Sequence, residues 1–246
     1  MFTPLTLPPG RARCQHRGVA SSRDTYHHGD LRNALVASAA RLIEAGGPGA
    51  FSLREAARTV GVSANAAYRH FDDKSVLMAA VAADGFAQLA KRMRRAMEGA
   101  TADQSDPVSV ARFKAVGRAY VEFASDHPPI FRLMFGEGMA SCAKPNAETI
   151  DADSPWDLLG LTLDALVIDG VLDPARRPGA EWKAWAAVHG HASLMLEGLP
   201  QLTTTPVRHA SLEALLQFAV VGICGDLRTE VEVQRPCPTN GPETSV

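Results

Sequence analysis

The chain has 246 residues, 46% of them hydrophobic, and a formal net charge of −2 at pH 7. This length and composition suit one large domain or two small ones with an extensive apolar core. The four cysteines lie far apart and form no C-x-x-C pair, which argues against a disulfide framework or a cysteine zinc site and favours a reducing, cytoplasmic setting. No stretch of about 18 apolar residues occurs, and no apolar run follows the N-terminal arginines, so we expect neither a membrane span nor a signal peptide.

The charge is distributed unevenly along the chain. Residues 1–97 contain 14 lysines and arginines against 7 acidic residues, whereas residues 98–246 contain 11 basic and 20 acidic residues. Because partner choice follows the local electric field rather than the total charge, this asymmetry indicates that only the front part meets a polyanion.

The front part begins with a basic tail and continues with short helices. Residues 1–23 are rich in Pro, Gly, Arg and Ser, which predicts a disordered tail. Asp30 is the predicted N-cap of a first helix, which ends at the glycine pair that begins with Gly46. Ser52 and Glu55 form an S-x-x-E capping box, in which the hydroxyl and the carboxylate can satisfy amide donors reciprocally, and this box predicts a second helix.

A tight turn and two further helices follow. Gly61 can adopt the positive φ that a turn requires, and Ser63 is the predicted cap of a third helix over roughly residues 64–70. Asp73 is the predicted cap of a fourth helix, roughly 36 Å long. Residues 52–71 therefore have the layout of a helix-turn-helix, whose second helix enters the major groove of DNA.

The back part is a series of predicted helices with proline in the first turn. The pairs Asp106-Pro107, Ser154-Pro155 and Thr205-Pro206 each place a capping residue before a proline, whose missing amide costs nothing there. Helices are predicted near residues 107–125, 128–136, 155–170, 179–198 and 206–227, with a long polar loop over 137–153. No convincing strand pattern occurs, so the sequence predicts an all-α fold.

The histidines raise the alternatives of a metal site and of an enzyme. His27-His28 and His189-x-His191 are the candidate pairs, but His189 and His191 face different sides of a helix, and no H-E-x-x-H or cysteine partner accompanies them. Glu197 follows on the same predicted helix, yet a nucleophile or a paired acid is lacking. We predict no metal, no cofactor and no catalytic residue, and we interpret His189 as a buried helix residue or a pocket donor.

Several spaced motifs of the front part agree together. They are YHHGDLR at 26–32, SLREAARTVGVS at 52–63, YRHF at 68–71 and DKSVL at 73–77. On these motifs the segment from Tyr26 to Leu77 resembles the DNA-binding domain of TetR-family transcriptional regulators. With FASDHPPIFRLMF at 123–135 and WAAVHG at 185–190, the back part resembles the branch whose C-terminal domain carries a Trp-x-x-Val-His-Gly (WHG) element. The resemblance implies a homodimeric repressor that a small molecule releases from double-stranded DNA.

The candidate DNA contacts divide into base-reading and backbone-holding residues. Small side chains allow the third helix to approach the bases, where Ala66 offers a methyl group to a thymine and Asn65 can bond a base edge. Tyr68, His70 and Lys74 suit phosphate oxygens, a role that the resemblance also implies. The resemblance further implies that residues 63–69 form the recognition surface. The candidate set is Ser52, Ser63, Ala64, Asn65, Ala66, Tyr68, Arg69, His70 and Lys74.

Aromatic and apolar residues of the back part suit a cavity for a small apolar or aromatic effector. The candidate ligand-binding residues are Phe131, Met134, Phe135, Trp156, Leu159, Trp185 and His189. The last two predicted helices carry more apolar residues than one core-facing stripe needs, which leaves open a fully buried pair or an intermolecular four-helix bundle. The resemblance implies the dimer, and the candidate interface residues are Leu194, Leu212, Leu216 and Val220.

The sequence thus predicts a three-helix helix-turn-helix DNA-binding domain followed by a larger helical ligand-binding and dimerisation domain. The predicted segments are a disordered tail over 1–23, the DNA-binding domain over 24–75, the effector-binding and dimerisation domain over 76–228, and a flexible tail over 229–246. A small enzyme and a nonspecific architectural DNA-binding protein are the alternatives.

Overall fold

The computed structural model describes residues 28–47, 49, 51–102, 106–136, 154–199, 202 and 204–225. Over these residues the regular structure is entirely helical, as predicted, with a three-helix head and a larger helical body. The helices are α1 His28–Gly46, α2 Leu53–Val60, α3 Ala64–Tyr68, α4 Lys74–Gly99, α5 Val108–Asp126, α6 Pro128–Phe135, α7 Pro155–Ile168, α8 Ala180–Leu196 and α9 Thr205–Cys224, with a 3-10 turn at Pro174–Arg176. The predicted tails and the predicted loop over 137–153 lie outside the described residues.

The head helices start at the predicted serine caps. Ser52 Oγ accepts a hydrogen bond from the Glu55 amide at 3.2 Å, and Ser63 Oγ accepts the equivalent bond at the start of α3. Gly61 between the two helices has a φ of 81°, in the left-handed region that favours glycine. The Glu55 carboxylate lies 4.0 Å from the Arg58 guanidinium, so only the serine half of the predicted capping box is seen at this helix start.

Three predicted caps are wrong. Helix α1 begins at His28, so Asp30 lies within its first turn rather than at its cap. At α5, Pro107 occupies the N-cap position, because the Asp106 carboxylate pairs with Lys114 at 2.6 Å instead of bonding a helix amide. Thr205, the predicted cap of α9, is instead the first residue of the helix, and Thr204 occupies the N-cap position.

The head packs around the inner faces of α1 and α2. Leu35, Ile43 and Leu53 are buried there, and Phe71, immediately after α3, completes the same core. The Ser38 hydroxyl is also buried, and it donates to a backbone carbonyl of α2 at 3.2 Å, so its burial leaves no unsatisfied donor. This packing fixes the orientation of α3 relative to α1.

Helix α4 joins the head to the body. Asp73 caps it, with Oδ1 accepting from the Val76 amide at 3.0 Å, and its 26 residues give a length of about 39 Å. One apolar core runs from α1 along α4 into α5, α6 and α9. The head and body are also joined by a hydrogen bond between His127 Nδ1 and Glu44 Oε1, 2.9 Å apart. Helix α4 therefore contacts both the head and the body.

The body surrounds α5, whose faces are buried by α4, α7, α8 and α9. Ser154 caps α7 as predicted and forms a complete capping box with Asp157. Within the described part of the chain, α9 is long and apolar enough to cross a membrane by length and composition alone. It also carries Arg208 and Glu213, and Leu216 faces the core, so this helix does not indicate a membrane protein.

Candidate functional site

The outer surface of the head presents most of the residues predicted to touch DNA. Ser52, Ser63, Asn65 and Arg69 are exposed, while Ala64, Ala66, His70 and Lys74 are partly exposed. Tyr68 is 43% exposed, which is high for a tyrosine and leaves its hydroxyl accessible. Ala67 is fully buried beside Phe71, so the predicted recognition surface over 63–69 needs correction at this position.

The two serine hydroxyls that cap α2 and α3 can still donate a hydrogen bond to an anion. Ser52 and Ser63 each use an oxygen lone pair to accept a helix amide, and each hydroxyl proton is still available to donate. Lys74 Nζ lies 4.9 Å from the centre of the Phe51 ring. This cation–π contact holds the ammonium at the start of α4, next to the α3 surface.

The body contains a cavity of about 240 Å³, large enough to hold a small molecule. Helices α4 to α9 all contribute to its wall. Four of the predicted ligand-binding residues lie there: Phe135, Trp156, Leu159 and Trp185. The sequence prediction missed residues from other helices, among them Phe86, Leu89, Gly117, Tyr120 and Leu216. They follow the periodicity of ordinary core positions, so no local signal distinguishes them.

The other three predicted ligand-binding residues lie behind the wall rather than in it. Met134 is fully buried at the crossing of α4 and α6, where a Cβ on Gly85 would come within 2.8 Å of its sulfur. Phe131 and His189 are stacked with ring centroids 5.7 Å apart, in a second layer behind Tyr120. None of the three is in the cavity wall, and Phe131 and His189 pack against Tyr120 and Phe135, which are in it.

A hydrogen-bonded relay runs through the cavity wall. Trp185 Nε1 donates to Tyr120 Oη at 3.0 Å, and Tyr120 Oη lies 2.8 Å from His189 Nδ1. Tyr120 Oη donates to His189 Nδ1 in the tautomer that carries the imidazole proton on Nε2, and it accepts from Nδ1–H in the other tautomer. Burial lowers the pKa of His189 and raises that of Tyr120, so both groups stay uncharged at neutral pH.

All three tryptophans of the chain lie together at the mouth of the cavity. Trp156 and Trp182 meet edge to face with centroids 4.7 Å apart, and Trp182 stacks on Trp185 at 5.6 Å. Trp182 is 62% exposed, whereas Trp185 is partly buried and lines the cavity. The cluster therefore extends from the cavity wall to the surface.

Three of the four predicted interface residues do not lie on the surface of the protomer. Leu212, Leu216 and Val220 are buried inside the chain's own core, because they lie on the face of α9 that packs against α5 and α8. Leu194 on α8 is exposed, and Phe218 on the opposite face of α9 is 68% exposed. Of the four predicted interface residues, Leu194 alone is exposed, and Phe218 is an exposed apolar residue that the prediction did not include.

Gly190 lies in the interior of α8, and Gly222 lies in the last turn of α9. A Cβ added to Gly190 in α8 or to Gly222 in α9 would meet nothing within 4 Å. Glycine in a helix interior costs about 1 kcal/mol relative to alanine. Packing within the described part of the chain therefore gives no reason for glycine at either position.

The head defines a helix-turn-helix DNA-binding domain, and the body a helical domain with an internal cavity, the two-part plan of a bacterial transcription regulator. Residues 35–81 match the family model described as bacterial regulatory proteins of the tetR family, and residues 113–219 match the tetracyclin repressor-like C-terminal domain. No curated protein matches the chain significantly.

Solved structures agree with these models. A protein of unknown function from Rhodococcus sp. RHA1 is 30% identical with a TM-score of 0.64, over 82% of this chain and 99% of that one. A TetR-family transcriptional regulator from Pectobacterium atrosepticum is 20% identical with a TM-score of 0.59, over 82% and 97%. TetR from Acinetobacter baumannii in complex with minocycline is 17% identical with a TM-score of 0.53, over 77% and 94%. The chain belongs to the TetR family of DNA-binding transcription regulators. Its assignment to the Trp-x-x-Val-His-Gly branch stays a prediction.

Proposed function

We propose that the protein is a cytoplasmic homodimeric repressor that a small apolar or aromatic molecule releases from its operator. The observation that carries this proposal is the position of α4. Its first residue, Lys74, follows the recognition helix closely, and its middle turns place Phe86, Leu89 and Met93 in the cavity wall. A ligand in the cavity therefore touches the helix that carries the head.

DNA binding is assigned to the exposed surface of α3 and its flanks. Asn65 and Ala66 face the base edges, while Tyr68, His70 and Lys74 hold the phosphates. In a twofold dimer, two heads enter successive major grooves roughly 34–36 Å apart. Because both recognition helices must fit at once, a small change in their spacing weakens operator binding.

The dimer is assigned to the exposed faces of α8 and α9, which form a four-helix bundle with a second copy. The exposed apolar side chains Leu194, Val207 and Phe218 support this assignment. Gly190 and Gly222 support it independently, since their open outer faces allow close approach of a partner helix. Helix α9 then has one face in the cavity and the other at the interface.

Release follows if the ligand prefers the head spacing that does not fit DNA. A ligand shifts a conformational equilibrium only by its difference in affinity for the two states. The cavity wall includes α4, which sets the head position, and α9, which sets the position of the second copy. A ligand that contacts Leu89 and Leu216 therefore acts on both α4 and α9 when it fills the cavity.

Footprinting on the promoter next to the protein's own gene, followed by fluorescence anisotropy on the protected fragment, tests the proposal. We expect Lys74→Ala to weaken binding to operator and random DNA alike and to reduce the slope of log K against log salt by about 1, because one phosphate contact is lost. Lys91→Ala is the matched control, since Lys91 is exposed on the same helix about 25 Å further along.

Two results would overturn the proposal. Equal affinity for operator and competitor DNA would indicate a nonspecific architectural protein. Turnover of a substrate by the protein without effect on DNA binding would indicate an enzyme.

A further inference from the structure

We propose that the cavity takes neutral hydrophobic ligands of about two rings and rejects ligands that carry an ionised group. The inference rests on the proposed function, in which this cavity is the effector site, and it names the chemical class of the effector.

The first observation is the lack of charge in the wall. Among the described residues that line the cavity, none is Asp, Glu, Lys, Arg or His. An ionised ligand would lose its water without gaining a counter-charge, and an unpaired buried charge is strongly unfavourable. The lowered pKa of the neighbouring His189, caused by burial, is in keeping with surroundings that disfavour charge.

The second observation concerns Trp185, Tyr120 and Ser154 of the wall, whose polar groups are already paired. Trp185 Nε1 donates to Tyr120 Oη, and Tyr120 Oη is hydrogen-bonded to His189 Nδ1. Ser154 Oγ donates to the Asp157 carboxylate at 2.7 Å. Each of these groups is thus already in a hydrogen bond, and a hydrocarbon ligand leaves all of these bonds intact.

The third observation is size. An apolar cavity of about 150 Å³ holds one benzene ring. The cavity of this protein has a volume of about 240 Å³, which leaves room for a bicyclic molecule. The aromatic rings of Phe135, Tyr120 and Trp185 in the wall favour a planar aromatic ligand through edge and face contacts.

The test compares two bicyclic probes of similar size, 2-methylnaphthalene and 2-naphthoate, by equilibrium dialysis against the full-length protein at neutral pH. We expect the neutral hydrocarbon to bind and the carboxylate to bind at least about 100-fold more weakly, because none of the described residues in the wall offers it a counter-charge. Binding of 2-naphthoate within about tenfold of the hydrocarbon, or no binding of either probe, would overturn the inference.

A pair of leucine variants tests whether the missing counter-charge in the cavity wall causes the weak binding of the carboxylate. Leu159 is half-buried in the cavity wall, and Leu161 on the same helix is exposed away from it. Leu159→Lys should improve 2-naphthoate binding by at least about tenfold by supplying a cation, and Leu161→Lys should leave both affinities unchanged. Equal effects of the two variants would show that the probe binds elsewhere and would refute the assignment.

Operator anisotropy on the same samples separates this inference from the proposed function. Binding of 2-methylnaphthalene without loss of operator affinity would refute ligand-released repression and leave the selectivity of the cavity standing. Release of the operator by 2-naphthoate but not by 2-methylnaphthalene would support ligand-released repression and refute the selectivity.

Discussion

Phe218 and Leu216 are two residues apart on α9 but lie in opposite environments. Phe218 is 68% exposed, whereas Leu216 is 1% exposed and forms part of the cavity wall. Phe218→Asp should therefore separate the proposed dimer without unfolding the protomer. Leu216→Ala should destabilise the protomer by about 2–5 kcal/mol through the space it leaves, while the outer face of α9 is unchanged.

The size of the Phe218 effect follows from its exposed area. A fully covered aromatic side chain buries about 200 Å², so the exposed two-thirds of Phe218 correspond to about 140 Å². At about 25 cal/mol per Å², covering that area stabilises the dimer by about 3.5 kcal/mol per protomer and about 7 kcal/mol for the symmetric pair. Since about 1.4 kcal/mol is a tenfold change, the dimer Kd should rise by up to about five orders of magnitude.

Sedimentation velocity in the low micromolar range measures the dimer, and thermal unfolding by circular dichroism measures the protomer. We expect a dimeric native protein, a monomeric but folded Phe218→Asp variant, and a dimeric Leu216→Ala variant with a lowered melting temperature. A Phe218→Asp variant that sediments as a dimer would exclude the outer face of α9 from the interface. A monomeric native protein would refute the dimer altogether.

Three further predictions concern the recognition helix, the cavity wall and pH. Asn65→Ala should change operator preference more than affinity for random DNA, and equal losses on both in competition binding would argue against base reading. Gly117→Ala should destabilise the protein by about 1–3 kcal/mol in urea unfolding, because the new Cβ would meet Leu216 Cδ2 at 2.6 Å; a neutral effect would mean that Leu216 moves freely into the cavity. Burial lowers the pKa of His189 below the ordinary histidine value of about 6.5, so the unfolded chain takes up a proton first and the free energy of unfolding should fall as the pH drops below about 6.5. His189→Gln should reduce that fall, and an unchanged pH dependence would show that His189 does not cause it.

The head could be predicted from the sequence in some detail because its signals are local. A serine that caps a helix bonds an amide three residues away, as Ser52 and Ser63 do. Gly61 and Asp73 act over equally short distances. The caps predicted at Asp30 and Thr205 failed because both residues lie inside their helices, and Asp106 failed as a cap where its carboxylate pairs with Lys114.

The inner and outer faces of α9 could not be predicted from its own sequence. Apolar residues occur on all sides of this helix, so helical periodicity does not distinguish the buried Leu212 and Leu216 from the exposed Phe218. Packing against α5 determines which face of α9 is buried, because Gly117 leaves room there for the Leu216 side chain.

The sequence by itself determined the helical class, the helix-turn-helix and the family, because caps, turns and periodicity act within one or two helical turns. The tertiary structure alone decided which residues enclose the cavity and which remain outside it. Tyr120, Trp185 and Leu216 come from three helices far apart in the chain, and they meet only when α5, α8 and α9 pack. Close packing selects such neighbours by shape, and shape complementarity between distant helices leaves no pattern in any single segment.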